Sequence, residues 1–329
     1  MKIVFLGLDE SEKAIIKKAF PVAQIVDGIP DIKNRSKVEV LSVFINNPLS
    51  KNELLLFPSL RYIVTRSAGC DHIDLDSCKK RRIAVYNIPD YGTETVAEYT
   101  ILLMLAALRK FKACEGSLMK KINMTPRELE GKEANGKVLG VVGTGRIGIS
   151  VIRIAKALGM KIIAYDKRGN PELKKSGVRF VSLQELIKTA DVITLHLPLT
   201  KETYHTIGQK EIMKMKMGAI IINTARGGLI DVVALANAIN TGQVGGAALD
   251  VIEAEELITH ENDVLTKDIG NVKIKQAFIG NLLLQKDNVI IMPHMAYDTE
   301  EALARIIEKT MVTIKELENG KTGLYNRIM

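Results

Sequence analysis

The chain has 329 residues, 47% of them hydrophobic and 26% charged, with a formal net charge of +8. That length is more than one ordinary core uses and predicts two domains, and the composition is that of a soluble globular protein. No apolar run approaches the roughly 20 residues a membrane span needs, and the start, MKIVFLGLDE, lacks the apolar core and small-residue cleavage site of a signal peptide.

Cys70, Cys78 and Cys114 are scattered and show neither CxxC nor His-Cys spacing. Neither a disulfide framework nor a metal site is expected, and a reducing cytoplasm is the expected compartment. Lysines and arginines are mixed with acids along the chain. The one dense basic run, KKRR at 79–82, reads as a solvated helix end before a strand, so no nucleic-acid or membrane partner is expected.

In chain order, strand-like segments at 2–8, 38–45, 61–65 and 83–88, with a weaker one at 23–26, predict a small α/β unit. Residues 93–112, TETVAEYTILLMLAALRKFK, predict one long helix opened by a threonine and closed by basic residues, a natural connector between domains. The pattern then restarts, with strands at 138–142, 161–166, 178–181, 191–197, 219–224, 246–251 and 289–292, as in a doubly wound sheet. Residues 299–318 predict a last helix with an apolar stripe at Leu303, Ile306, Ile307, Met311 and Ile314. Too little sequence remains for a third domain, so this helix is expected to return to the first unit.

Residues 137–166 are the most informative stretch. The apolar run 138–142 suits a buried parallel strand, and Gly143-Thr144-Gly145-Arg146-Ile147-Gly148 opens the helix behind it. Gly143 allows a tight turn, Gly145 lets backbone N–H groups approach a pyrophosphate, and Gly148 lets the helix pack closely on the sheet. The pyrophosphate then sits at the positive end of that helix, beside Arg146 and Ile147. Asp166 ends the next strand, 18 residues after Gly148, where it can accept from the adenosine ribose hydroxyls and repel a 2′-phosphate. The expected cofactor is therefore NAD, a preference that Lys167 and Arg168 temper.

Ligands of open parallel sheets bind beyond the carboxyl ends of the strands. Those positions hold Arg226 after 219–224, the cluster Glu253, Glu255 and Glu256 after 246–251, and His294 after 289–292. One arginine, one acid and one histidine suit hydride transfer between NAD and a small 2-oxo or 2-hydroxy acid. Arg226 offers a fork of donors for the carboxylate and the C2 oxygen. His294 exchanges the hydroxyl proton, and a neighbouring carboxylate stabilises its charged form so that it can donate. Glu255 is taken as that carboxylate, although most acids in such a cluster are solvated and the cluster alone does not decide among its members.

These segments resemble the D-isomer-specific 2-hydroxyacid dehydrogenase family through nearly the whole chain, closest in look to its D-lactate dehydrogenase-like branch. NTARGGLID carries Arg226, LDVIEAEE carries Asp250 and Glu255, and MPHMAYDTEEA carries His294. The family's acid lies five residues after the aspartate of the LDV segment, which selects Glu255. TRSAGCDHID resembles the family's substrate-carboxylate loop and implicates Ser67, Ala68 and Gly69, with Tyr297 and the segment Asn46-Asn47-Pro48 completing the substrate pocket. GTETVAEYT places Val96 near the nicotinamide, and HLPLTKET implicates His196, Leu197, Pro198 and Thr203 at the adenine and ribose. Thr224 and Ala225 line the nicotinamide side, and Asp250 holds its carboxamide. Ala254 and Ala296-Tyr297 stand where many relatives have proline and a glycine-serine pair, departures that remove no catalytic group.

The resemblance implies two doubly wound domains with a cleft between them: a smaller flavodoxin-like substrate domain at 1–98 and 298–329, and a Rossmann NAD-binding domain at 99–297. It also implies a homodimer, built through the helix at 93–112. The expected reaction is NAD-dependent reduction of a 2-oxo acid to the D-2-hydroxy acid. Pyruvate is favoured because no lysine or arginine in the pocket segments awaits a phosphate. A bulkier branched or aromatic 2-oxo acid is the alternative within the enzyme class. An NAD-sensing corepressor is the alternative outside it, although the extra low-complexity tails expected of one are not found in this sequence.

Overall fold

The computed structural model describes residues 1–119, 125, 127–255, 257 and 270–329, and the chain divides into two compact units, Met1–Gly92 with Asp298–Met329, and Thr93–Tyr297. Both are built on parallel sheets flanked by helices.

In the first unit β1 (Ile3–Leu6), β2 (Gln24–Val26), β3 (Val40–Val43), β4 (Tyr62–Thr65) and β5 (Ala84–Tyr86) lie in the order β2-β1-β3-β4-β5, every pair parallel. This is the flavodoxin-like order. β1, β3 and β4 are buried along their whole length, as their unbroken apolar runs require. Alternate residues divide between two cores. Val4, Leu6, Leu41, Val43 and Ile63 face one, while Phe5, Val40, Tyr62, Val64 and Tyr86 face the other, where they meet Ile307, Ile314 and Leu317 of the helix Glu300–Glu318. The expected stripe on that helix is present, with Leu303 and Met311 at its half-buried margin. The tail lies along β5: Arg327 bridges antiparallel to Tyr86, and the Ile328 N–H donates to the Val85 carbonyl at 2.8 Å.

In the second unit β6 (Val138–Val142), β7 (Lys161–Tyr165), β8 (Arg179–Phe180), β9 (Val192–Leu195), β10 (Ala219–Asn223), β11 (Val244–Leu249) and β12 (Val289–Ile291) lie in the order β12-β11-β10-β9-β6-β7-β8, again all parallel. The strand order reverses between β6 and β9, and a doubly wound sheet opens its binding crevice at such a reversal. One face packs against the helices Thr93–Leu108 and Arg146–Ala157, the other against Leu183–Thr189 and Val232–Thr241.

Two expectations are corrected here. The single helix at 93–112 is two helices, Thr93–Leu108 and Phe111–Met119, broken at Arg109-Lys110, where Lys110 takes a φ of 50°. The chain crossing at Gly131-Lys132 takes the Leu108 carbonyl, which accepts from the Lys132 N–H at 2.8 Å. Lys112, expected to close its own helix, instead donates to the carbonyls of Leu284, Lys286 and Val289 at 2.6, 2.9 and 2.7 Å, capping the helix Asn271–Leu284. Nor is KKRR wholly solvated. Arg81 is half-buried and donates to the carbonyls of Leu54 and Phe57 at the end of the helix Lys51–Leu55.

Gly140 in β6 packs where a Cβ would lie 2.6 Å from Leu186 Cδ2 and 2.9 Å from Ala190 Cβ. Replacing Gly140 with alanine is expected to destabilise the protein by about 1–3 kcal/mol through overpacking, read as a Tm lower by several degrees in a circular dichroism melt.

Candidate active site

Each chemistry-bearing residue of the second unit follows a strand at the carboxyl edge of the sheet: Gly143 after β6, Asp166 after β7, His196 after β9, Thr224, Ala225 and Arg226 after β10, Asp250 after β11 and His294 after β12. Because the strands are parallel and in register, one edge collects them all.

The glycine turn divides its labour. Gly143 has a φ of 97°, and a Cβ there would stand 2.5 Å from the His196 carbonyl oxygen; a Cβ on Gly148 would stand 2.2 Å from the Gly143 oxygen. Both glycines let the chain pack on itself. Around Gly145 a Cβ meets nothing within 4 Å, and this residue is the N-cap of the helix Arg146–Ala157 without a side-chain cap. The first-turn N–H groups, those of Arg146, Ile147 and Gly148 among them, have no acceptor within the helix. An open cradle of donors at a positive helix end fits the pyrophosphate of NAD.

Asp166 accepts from the Thr144 N–H at 2.8 Å, the Thr144 hydroxyl at 3.0 Å and the Arg168 N–H at 2.9 Å. Burial works to raise its pKa, but these donors outweigh it and hold the carboxyl below the usual range, so Asp166 is ionised. The His196 ring hydrogen-bonds Thr194 Oγ1 at 3.0 Å, and burial pushes its pKa down to about 4, which leaves it neutral. Leu197 is half-buried and Pro198 exposed, and the Thr203 hydroxyl donates to the Pro198 carbonyl at 2.6 Å, closing that loop. The Thr100 hydroxyl donates to the Val96 carbonyl at 2.7 Å and lies 2.8 Å from Thr224 Oγ1. It joins two residues that the sequence placed at the nicotinamide.

The acid, the histidine and the arginine loop come together around β11. His294 Nδ1 lies 3.0 Å from Glu255 Oε1, and Glu255 Oε2 accepts from the Ile252 N–H at 3.3 Å. His294 has a φ of 54°, unusual for a non-glycine residue. Asp250 holds it there. The Asp250 carbonyl accepts from the His294 N–H at 2.9 Å, and its two carboxylate oxygens accept from the N–H groups of Met295 at 3.0 Å and Ala296 at 2.9 Å. Burial raises the Asp250 pKa and these donors oppose the rise. Tyr297, half-buried, follows directly. The Arg226 loop is pressed against the Glu255 turn, for a Cβ on Gly227 would stand 2.3 Å from the Ile252 carbonyl carbon and oxygen. Arg226 Nη1 donates to the Ala225 carbonyl at 2.7 Å, and Asn223 Nδ2 donates to the Arg226 carbonyl at 2.9 Å.

One neighbouring acid corrects the expectation that most acids in such a cluster are solvated. Glu253 is buried and accepts from the Tyr204 hydroxyl at 3.0 Å and the Val232 N–H at 3.2 Å, with His205 Nε2 at 2.8 Å. Glu256 lies outside the described residues.

In the first unit, residues 67–69 follow β4. All three carbonyls are held by the protein: that of Ser67 by the Ile88 N–H at 3.0 Å, that of Ala68 by Asn87 Nδ2 at 2.7 Å, and that of Gly69 by the Ser67 hydroxyl at 2.7 Å. Among the described residues the N–H groups of Ser67, Ala68 and Gly69 donate to no acceptor. Just before them Arg66 is wholly buried and donates to the carbonyls of Leu6 at 2.7 Å and Gly7 at 2.9 Å, with Ser42 at 3.3–3.4 Å. Burial without a carboxylate in contact lowers its pKa to about 10. Asn47 Oδ1 accepts from the Phe44 N–H at 3.3 Å, shaping its own turn.

A glycine cradle for a dinucleotide and an acid–histidine pair on one sheet edge define an NAD-linked oxidoreductase. Residues 101–296 match the family described as D-isomer specific 2-hydroxyacid dehydrogenase, NAD binding domain. The chain is 38% identical over 252 residues to a D-specific alpha-keto acid dehydrogenase of Enterococcus faecalis, covering 77% of this chain and 74% of that one. It is 39% identical over 275 residues to an aromatic 2-oxoacid reductase of Clostridium sporogenes, covering 82% and 79%. The crystal structure of a D-lactate dehydrogenase from Aquifex aeolicus, complexed with NAD and lactic acid, superposes with a TM-score of 0.88 at 37% identity over 97% of this chain and 96% of that one. The chain belongs to the D-isomer-specific 2-hydroxyacid dehydrogenase family, and it is an NAD-dependent enzyme.

Sequence reasoning passed over Thr100, Arg66, Asn87 and His72. Thr100 stands four residues after Val96, so helical spacing could have found it. Arg66 and His72 sit inside the quoted TRSAGCDHID. Asn87 carries no local signal, because its partner lies 19 residues away.

Replacing Asp166 with serine is expected to lower the ratio of kcat/KM for NADH to that for NADPH by at least about tenfold, since an ionised acid is removed from the end of β7, the position expected to face the ribose, while Lys167 and Arg168 stay. Initial rates with the two cofactors check this.

Proposed function

We propose that the enzyme reduces pyruvate to D-lactate, with His294 as the acid, Glu255 as its carboxylate partner and Arg226 as the substrate's anchor. The observation that carries this reading is the 3.0 Å contact between His294 Nδ1 and Glu255 Oε1, at a sheet edge that also bears Arg226. An ionised carboxylate can only accept, so Nδ1 carries a proton and Nε2 is left as the nitrogen that exchanges with substrate. NADH, when bound, supplies the hydride to C2. His294 Nε2 gives its proton to the C2 oxygen, and Glu255 stabilises the imidazolium before the transfer. Arg226 pairs with the substrate carboxylate, and in the first unit the free N–H groups of Ser67, Ala68 and Gly69 are themselves suited to a carboxylate. Each Asp250 oxygen keeps a further lone pair for the nicotinamide carboxamide beside its bond to the 294–296 turn.

Pyruvate is preferred because the D-lactate dehydrogenase from Aquifex aeolicus aligns over nearly the whole chain. The relative named for aromatic 2-oxo acids supports the larger substrate as a second reading. A cytoplasmic home rests on three free cysteines, and no described helix is long and apolar enough to cross a membrane. A homodimer rests on the exposed apolar side chains of Leu102, Phe111, Leu118 and Met119, and sedimentation would give its mass.

The test follows loss of NADH absorbance with pyruvate, 2-oxobutyrate, 2-oxoisocaproate, phenylpyruvate, glyoxylate and hydroxypyruvate. Highest kcat/KM on pyruvate with D-lactate as product is the expected result, and a maximum on phenylpyruvate replaces the substrate while keeping the mechanism. Replacing His294 with alanine is expected to cut kcat by about 10²–10⁴-fold, the usual worth of general acid catalysis, while NADH affinity stays within about twofold. Wild-type turnover in that variant would remove His294 from its role.

A further inference from the structure

The Gly69 carbonyl can only accept, so the Ser67 hydroxyl, 2.7 Å away, spends its proton there. Ser67 Oγ must then accept from Thr65 Oγ1, also at 2.7 Å. With the Thr65 proton committed to Ser67, the remaining bond of Thr65 Oγ1, to His72 Nε2 at 3.0 Å, has to be donated by the ring. Thr65 and Ser67 are buried, so bulk water does not compete for these protons. The chain therefore runs one way, from His72 through Thr65 and Ser67 to the Gly69 carbonyl. It keeps a proton on His72 Nε2 whether the ring is neutral or charged.

We propose that His72 is a positioning residue for the carboxylate-binding loop, acting through this relay to fix residues 67–69 as an anion receptor. A trans peptide points its C=O and the following N–H in opposite directions. Holding the Ser67 and Ala68 carbonyls through Ile88 and Asn87 thus turns the N–H groups of Ala68 and Gly69 away from those partners, and the relay fixes the third carbonyl, at the loop's end. His72 is itself anchored from behind, for its carbonyl accepts from the Leu49 N–H at 2.8 Å. The assignment rests on the substrate role given above to residues 67–69.

Three variants and one spectrum test it. Glutamine places an amide nitrogen near the position of Nε2 and can still donate, whereas leucine cannot. In His72→Leu the KM for the 2-oxo acid is expected to rise about fivefold or more, the worth of one hydrogen bond, with kcat changed less than about twofold and NADH affinity unchanged. His72→Gln is expected to restore the KM to within about twofold of wild type, as its surviving donor dictates. Thr65→Val cuts the same relay, so it should match His72→Leu, and the double variant should be no worse than either. Equal impairment by glutamine and leucine, or additive effects in the double variant, overturns the proposal.

The tautomer is read from wild-type protein by two-dimensional ¹⁵N–¹H correlation of the imidazoles, the His72 signals being those lost in His72→Gln. A proton on Nε2 supports the relay, and a neutral ring protonated at Nδ1 alone overturns it. Protein that binds NADH but reduces no 2-oxo acid overturns the proposed function instead, and the spectrum then decides the relay by itself.

Discussion

Three consecutive N–H groups, those of His294, Met295 and Ala296, end on a single residue, Asp250. The site of the second unit depends on this. A histidine with a φ of 54° does not hold that conformation by local preference. Asp250 imposes it from the end of β11, where the carboxylate is buried and would be left without partners if the turn moved away. The same strand end leads into the 252–255 turn that carries Glu255, so a single strand delivers the acid and tethers the histidine. Gly227 then lets the Arg226 loop lie against that turn without an intervening side chain. The arginine, the acid and the histidine are set by backbone contacts around β11 more than by contacts between their own side chains.

Much of this was legible in the sequence because parallel sheets write their faces plainly. Buried apolar runs located most strands to within a few residues, and the rule that ligands gather beyond the carboxyl ends picked out Arg226, His294 and the acid cluster after β11 without reference to relatives, while the choice of Glu255 within that cluster came from the resemblance. The places where reading failed share one cause. The break after Leu108 is made by a chain segment that returns at Lys132, Lys112 serves a helix that begins at Asn271, and Arg81 serves the carbonyls of Leu54 and Phe57. A basic residue near a helix end announces a carbonyl to be satisfied, but the sequence does not say whose. Glu253 was misread for the same reason: its partners Tyr204, His205 and Val232 lie far away in the chain, and a charged residue looks solvated until its donors are known.

The two proposed anion sites, one in each unit, are built by different means. In the second, the donors are the unpaired N–H groups that every helix start exposes, and the sequence need only supply glycine for access. In the first, residues 67–69 are in neither helix nor strand, and the donors are left unpaired while each carbonyl is claimed by Ile88, Asn87 or Ser67. A helix start is generic and leaves a fingerprint. A loop held by distant side chains is particular to its fold, and its supporting residues are found once the fold is known.

The tail along β5 bears on biogenesis. Asn326 Nδ2 donates to the Asn87 carbonyl at 2.8 Å, the Asn87 N–H donates back to the Asn326 carbonyl at 3.1 Å, and Asn87 Nδ2 holds the Ala68 carbonyl. During synthesis the ribosome makes every residue of the second unit, Thr93–Tyr297, before it reaches Asn326. The nascent chain therefore carries all of its nucleotide-binding half while the edge beside residues 67–69 still lacks a partner strand. The bonds that fix Asn87, and through it the Ala68 carbonyl, are completed only after the whole nucleotide-binding half has been made.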